Sequence, residues 1–144
     1  MNLGPGEVTL LFTEALDDLA IPYFVAGAIA SIVHGMIRTT MDADIVADIG
    51  AEQVAPLVDR LEDAFFVDRE ALSAAVVGRH QANVVHRETT FKVDVYPMVR
   101  GGFHESELAR RVRAPLSADG ERSAFIASAE DTALSKLFLV PQGQ

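Results

Sequence analysis

Cysteine is absent from this 144-residue chain. That excludes disulfides, zinc–thiolate centres and thiol nucleophiles together, and it suits a reducing compartment. Basic residues are scarce: 12 Lys and Arg stand against 21 Asp and Glu, a formal net charge of −9. Counterion-release binding needs clustered cations, so no strong nucleic-acid-binding surface is expected. The one basic cluster, Arg110, Arg111 and Arg113, reads as the solvated end of a helix. Long apolar runs are missing as well. No segment approaches the roughly 20 residues of a membrane span, and MNLGPGEVTLLF lacks the basic n-region of a signal peptide. The expectation is a cytoplasmic protein with no membrane partner.

What is present is hydrophobic mass, 49% of the residues, enough to bury one core in a single domain over residues 1–144. Apolar side chains at Val8, Leu11, Phe12, Ala15, Leu16 and Leu19 recur at helical spacing over 6–20, and Ile21-Pro22 ends that helix. Tyr23–Ala26 reads as a short buried strand, and 27–35 as a small-residue helix closing near Gly35. A second strand is expected over 42–49 and a helix over 51–64, with Pro56 near its first turn. A strand or loop near 65–68 and a short helix over 69–77 follow. Two β-rich runs, Ala82–His86 and Thr90–Tyr96, stand three residues apart, which predicts an antiparallel hairpin. A helix over 104–111, a strand over 123–127 and a last helix capped by Ser128 complete the chain. The pattern is α+β, with helices packed on a small mixed sheet.

Chemistry concentrates in three places. Asp42 and Asp44 stand two apart at the start of the second strand, so both carboxylates point to one face. Like charges at that spacing repel unless a cation lies between them. In Phe91-Lys-Val-Asp-Val-Tyr96, alternation puts Lys92, Asp94 and Tyr96 on one face and Val93 and Val95 on the other. Three carboxylates at strand edges among Ile, Val and Ala suit Mg²⁺, which takes oxygen ligands and shares its coordination with substrate phosphates. Third, Gly27 follows a strand and opens a helix, where backbone can approach a ligand closely. Each feature alone has an ordinary explanation, a turn glycine or a solvated aspartate; together they are specific. Asp48 reads as a turn aspartate outside the group, Tyr96 as packing, and Glu130 and Asp131 as helix-start residues favoured by the dipole. Lys136 is either solvent-exposed or within reach of the site. His34, His80, His86 and His104 share no spacing; His34 lies nearest the cleft.

The order FVAGAIASIVHGMIRTTMDADIVADI, FKVDVYP and SAEDTALSKL resembles the nucleotidyltransferase fold of the DNA polymerase β superfamily. Within it the chain is similar to minimal nucleotidyltransferases and abortive-infection toxin-like proteins. The matching elements are Ala26-Gly27-Ala28, Asp42-Ala43-Asp44, Asp94 and the run Gly35…Arg38-Thr39-Thr40. The resemblance implies a metal-dependent transfer of a nucleoside monophosphate from a nucleoside triphosphate, ATP first, to an acceptor hydroxyl. It assigns Asp42, Asp44 and Asp94 to catalysis and to Mg²⁺ or Mn²⁺. Gly27, Ala28, Arg38 and Thr39 would face the nucleotide; Arg38 either pairs with a phosphate or anchors the loop before the strand. The acceptor is a protein side chain, as in a toxin–antitoxin pair, or RNA, or a small molecule. Two departures stand out. Ala28 occupies a position that is most often Gly or Ser, so a hydroxyl is missing while the backbone N–H remains. The sequence also stops at Gln144 where relatives continue through further helix, which leaves open a shortened, catalytically degenerate form that binds nucleotide or a partner protein.

Overall fold

The computed structural model describes residues 3–35 and 42–138. Helix α1, Pro5–Asp18, starts with proline, whose missing N–H costs nothing in a first turn. It buries Val8, Leu10, Phe12 and Leu16, and Ala20 at φ +55 turns the chain out of it. Strand β1, Tyr23–Ala26, runs straight into helix α2, Gly27–Val33. Strand β2 is Asp42–Ala47; a 3₁₀ turn at Ala51–Gln53 then leads into helix α3, Val54–Leu61. Strand β3, Phe65–Phe66, precedes helix α4, Arg69–Gly78, which is capped by the Asp68 carboxylate accepting from the Ala71 N–H. Strands β4, Ala82–His86, and β5, Lys92–Pro97, form the expected antiparallel hairpin. Helix α5, Phe103–Arg110, strand β6, Val112–Pro115, strand β7, Ser123–Ile126, and helix α6, Ala129–Phe138, complete the chain. No helix among the described residues is long and apolar enough to cross a membrane.

The seven strands form one mixed sheet in the order β3-β4-β5-β2-β1-β7-β6. Strand β2 lies at its centre, antiparallel to β1 and parallel to β5. One face carries the main core: Leu10, Phe12 and Leu16 of α1, Leu57 and Leu61 of α3, and Leu72 and Val76 of α4 meet Val25, Ile45, Val93 and Val95. Each such side chain contributes about 1.5–3 kcal/mol by leaving water. The other face is only partly covered. Phe24, Ala30, Val46, Met98 and Ala127 form a small cluster there, flanked by Ala26, Tyr96 and Leu108.

Three local expectations change. Strand β2 ends at Ala47 rather than residue 49: the Asp48 N–H still donates to the Pro22 carbonyl at 2.9 Å, but proline has no N–H to return the bond, so the ladder with β1 stops there. The hairpin connection is longer than three residues, because Thr90 sits at φ +60 and cannot continue a strand. The basic run is not the solvated end of a helix. Arg110 closes α5, but Val112–Pro115 pairs with β7 as an edge strand. The Arg111 and Arg113 guanidiniums lie 4.3 and 4.7 Å from the centre of the Phe125 ring, a cation–π arrangement that gives the arginines a partner other than solvent.

Candidate functional site

The register of β2 against β5 builds the site. Asp42 lies beside Lys92, Asp44 beside Asp94 and Val46 beside Tyr96, so alternation brings all six side chains to the partly covered face. On the other side of β2, Ala26 lies beside Asp44, and the chain turns at Gly27 directly above it. Gly27 has φ +62, and a Cβ built there would overlap a carboxylate oxygen of Asp44. Glycine is therefore required twice, by its left-handed backbone and by the closeness of an acid.

Asp44 is the electrostatic centre. Its pKa rises from 3.8 to about 6, first through burial and then through the neighbouring charges of Asp94 and Asp42. The Tyr96 hydroxyl, donating to Asp44 Oδ1 at 3.4 Å, and the Lys92 ammonium act in the opposite direction. The Tyr96 phenol stands well above its ordinary pKa, first through burial and then through the nearby charge of Asp44. Asp94 is buried; its Oδ1 faces Lys92 Nζ at 3.5 Å but accepts no hydrogen bond.

These features suit a hard divalent cation. The donors are carboxylates, one of them has a buried oxygen lacking a hydrogen bond, and their mutual repulsion is relieved by added positive charge. The arrangement is open: among the described residues no three acidic or histidine side chains close around a single point. A site that shares its ion with substrate phosphates needs no closed protein cage.

Other candidate residues fall differently. Ala28 is the second residue of α2 and half-buried. Arg38, Thr39 and Thr40 lie outside the described residues, as does the side chain of Lys136. Asp48 stands apart from the acids, with its carboxylate 2.7 Å from an Arg100 guanidinium nitrogen. His34, expected nearest the cleft, ties the end of α2 to the Ala127 carbonyl through Nε2 at 2.9 Å. The Ser128 hydroxyl accepts from the Asp131 N–H at 3.1 Å, as expected of a cap. Asp131 also receives Arg110 bidentately at 2.8 and 3.0 Å, pinning α5 to α6. Tyr96 is more than packing, since its hydroxyl reaches Asp44. Lys92 was not among the expected site residues. The alternation of β5 already placed both on the acid face; what the pattern lacked was the register with β2.

No protein-family profile matches the chain, and no curated protein is significantly similar to it in sequence. Solved structures do match. The lincosamide antibiotic adenylyltransferase LnuA, in its lincomycin-bound form, aligns over 93% of this chain and 86% of its own, with a TM-score of 0.57 at 17% identity. A Thermotoga maritima protein described as a candidate nucleotidyltransferase aligns over 96% of this chain and 88% of its own, with a TM-score of 0.59 at 13% identity. The fold is the nucleotidyltransferase fold. At these identities the likeness speaks for the arrangement of elements, and the chemistry has to come from this chain's own residues.

Proposed function

We propose that the protein is a metal-dependent nucleotidyltransferase that moves a nucleoside monophosphate from a nucleoside triphosphate to an acceptor hydroxyl. The observation that carries this reading is the register of β2 and β5, which sets Asp42, Asp44 and Asp94 on one face beside the Gly27 turn. Asp42, Asp44 and Asp94 would hold Mg²⁺ or Mn²⁺. Bound there, the ion would supply charge stabilisation to the attacking and leaving oxygens. Gly27 and the backbone N–H groups that follow it at the start of α2 would face the triphosphate. Arg38 and Thr39 complete the nucleotide side of the proposal. Asp94, the acid of β5, takes the proton of the acceptor hydroxyl. The freed oxygen attacks the α-phosphorus, the bond to the β-phosphate oxygen breaks, and pyrophosphate leaves. Tyr96 orients Asp44 through its hydroxyl.

The likeness to an adenylyltransferase supports ATP as the first donor to test and a small hydroxylated molecule among the first acceptors. A protein acceptor, as in a toxin–antitoxin pair, and RNA are the other arms. A second reading, a degenerate form that binds nucleotide or a partner without turnover, is favoured by Ala28 and by the open carboxylate set. Incubation with each labelled nucleoside triphosphate and Mg²⁺ separates the two. Transfer by wild type that is lost, by at least about a hundredfold, in Asp42→Ala and Asp44→Ala supports the enzyme. Metal-dependent ATP binding without transfer to any acceptor supports the binding module.

A further inference from the structure

Lys92 is a cation set among the acids, and the transfer reaction does not use it. It neighbours Asp42 across the ladder and stands two residues from Asp94 on its own strand, on the same face as both. Its Nζ lies 3.5 Å from Asp94 Oδ1, an ion pair too long to count as a hydrogen bond. That oxygen is buried and receives no hydrogen bond. A buried carboxylate oxygen without a donor is costly, so the nearby ammonium is its main compensation. The two partners differ in freedom: the Asp94 side chain is 9% exposed and that of Lys92 is 43% exposed. Lysine is a compact charge on a flexible stem, so its head can leave for water while Asp94 stays in place.

We infer that Lys92 is the built-in counter-ion of the acid cluster in the metal-free protein, and that a divalent ion displaces its ammonium from Asp94. The second half rests on the metal site proposed above. An ammonium and a divalent ion are like charges that compete for one oxygen, so Lys92 keeps the site assembled and moderates its affinity. A two-apart pair on a solvated strand would instead contribute little and affect no ligand.

The test uses the full chain and Mn²⁺ as probe, with free Mn²⁺ measured by electron paramagnetic resonance. Lys92→Met is expected to bind Mn²⁺ about tenfold more tightly than wild type. It is also expected to melt lower than wild type without metal, the gap narrowing as Mn²⁺ saturates. Lys92→Arg keeps the charge and is expected to retain weaker binding than Lys92→Met. Unchanged or weaker Mn²⁺ affinity in Lys92→Met, with binding still lost in Asp94→Asn, overturns displacement while leaving the metal site standing. If wild type binds no Mn²⁺, the metal site itself fails, and displacement with it. The counter-ion role is then decided in metal-free protein by combining Lys92→Met with Asp94→Asn. Non-additive losses in melting temperature support it; additive losses overturn it.

Discussion

Asp44 lies between two other carboxylates, and its proton is the most informative one in the molecule. Its folded pKa of about 6 exceeds its ordinary value of 3.8, so the folded state binds that proton more tightly than the unfolded chain. Between pH 4 and pH 6 unfolding therefore releases a proton, and stability falls as pH rises through this window. Because the side chain is partly exposed, the loss is discounted to about 1–2 kcal/mol. Asp44→Asn removes the titration. In metal-free urea denaturation, the variant is expected to show a flatter pH profile than wild type and higher stability at pH 7.5. Identical slopes for the two proteins would show that Asp44 does not carry the repulsion.

At the scale of elements, the junction of β1 with α2 and the centre of β2 act as one unit. Gly27 is the contact between them, because its φ of +62 and its closeness to Asp44 both exclude a side chain. Gly27→Ala is expected to cost about 1–2 kcal/mol from backbone strain alone, with a further cost from the clash. Most of the further cost is expected to vanish in an Asp44→Ala background, where the opposing carboxylate is gone. A double-mutant cycle in urea reads this directly, and strictly additive losses would place the strain in the backbone alone. Much of this unit was legible beforehand: a strand, a glycine, a helix and two acids at strand spacing. The role of Tyr96 was not, since a phenol beside two valines reads as packing until β5 is set in register with β2.

Over the whole molecule, the sheet divides its labour by face. The face under α1, α3 and α4 holds the large apolar cluster, and the opposite face carries the three acids beside a much smaller one. If the acid face binds nucleotide as proposed, stability and binding are expected to be separable. Leu57→Ala, at a fully buried position of α3, is expected to lower unfolding free energy by about 2–5 kcal/mol. At a temperature where the variant remains folded, its nucleotide binding is expected to match wild type, measured by calorimetry with ATP and Mg²⁺. A binding defect in folded Leu57→Ala would mean that the two faces are coupled. Helices α5 and α6 belong to the second face, and the Arg110–Asp131 pair that joins them was invisible in the sequence because it links positions 21 residues apart.

Local periodicity and local chemistry decided most of the elements. Helical spacing in α1, proline and glycine at the breaks, and β-branched alternation in β5 are properties of neighbouring residues, so the sequence alone determines them. It also determined that Asp42 shares a face with Asp44, and Asp94 with Lys92 and Tyr96, because strand alternation needs no partner. Which strands lie side by side is a different kind of fact. Setting β2 against β5 brings Asp44 to Asp94 across 50 residues, and burial there raises one carboxylate's pKa while leaving another's oxygen without a donor. The same holds for β6: its four residues carry a weak pattern, and only a pairing with β7 and a ring for Arg111 and Arg113 to stack on make them a strand. Register and desolvation are collective, and they exist only once the sheet has closed.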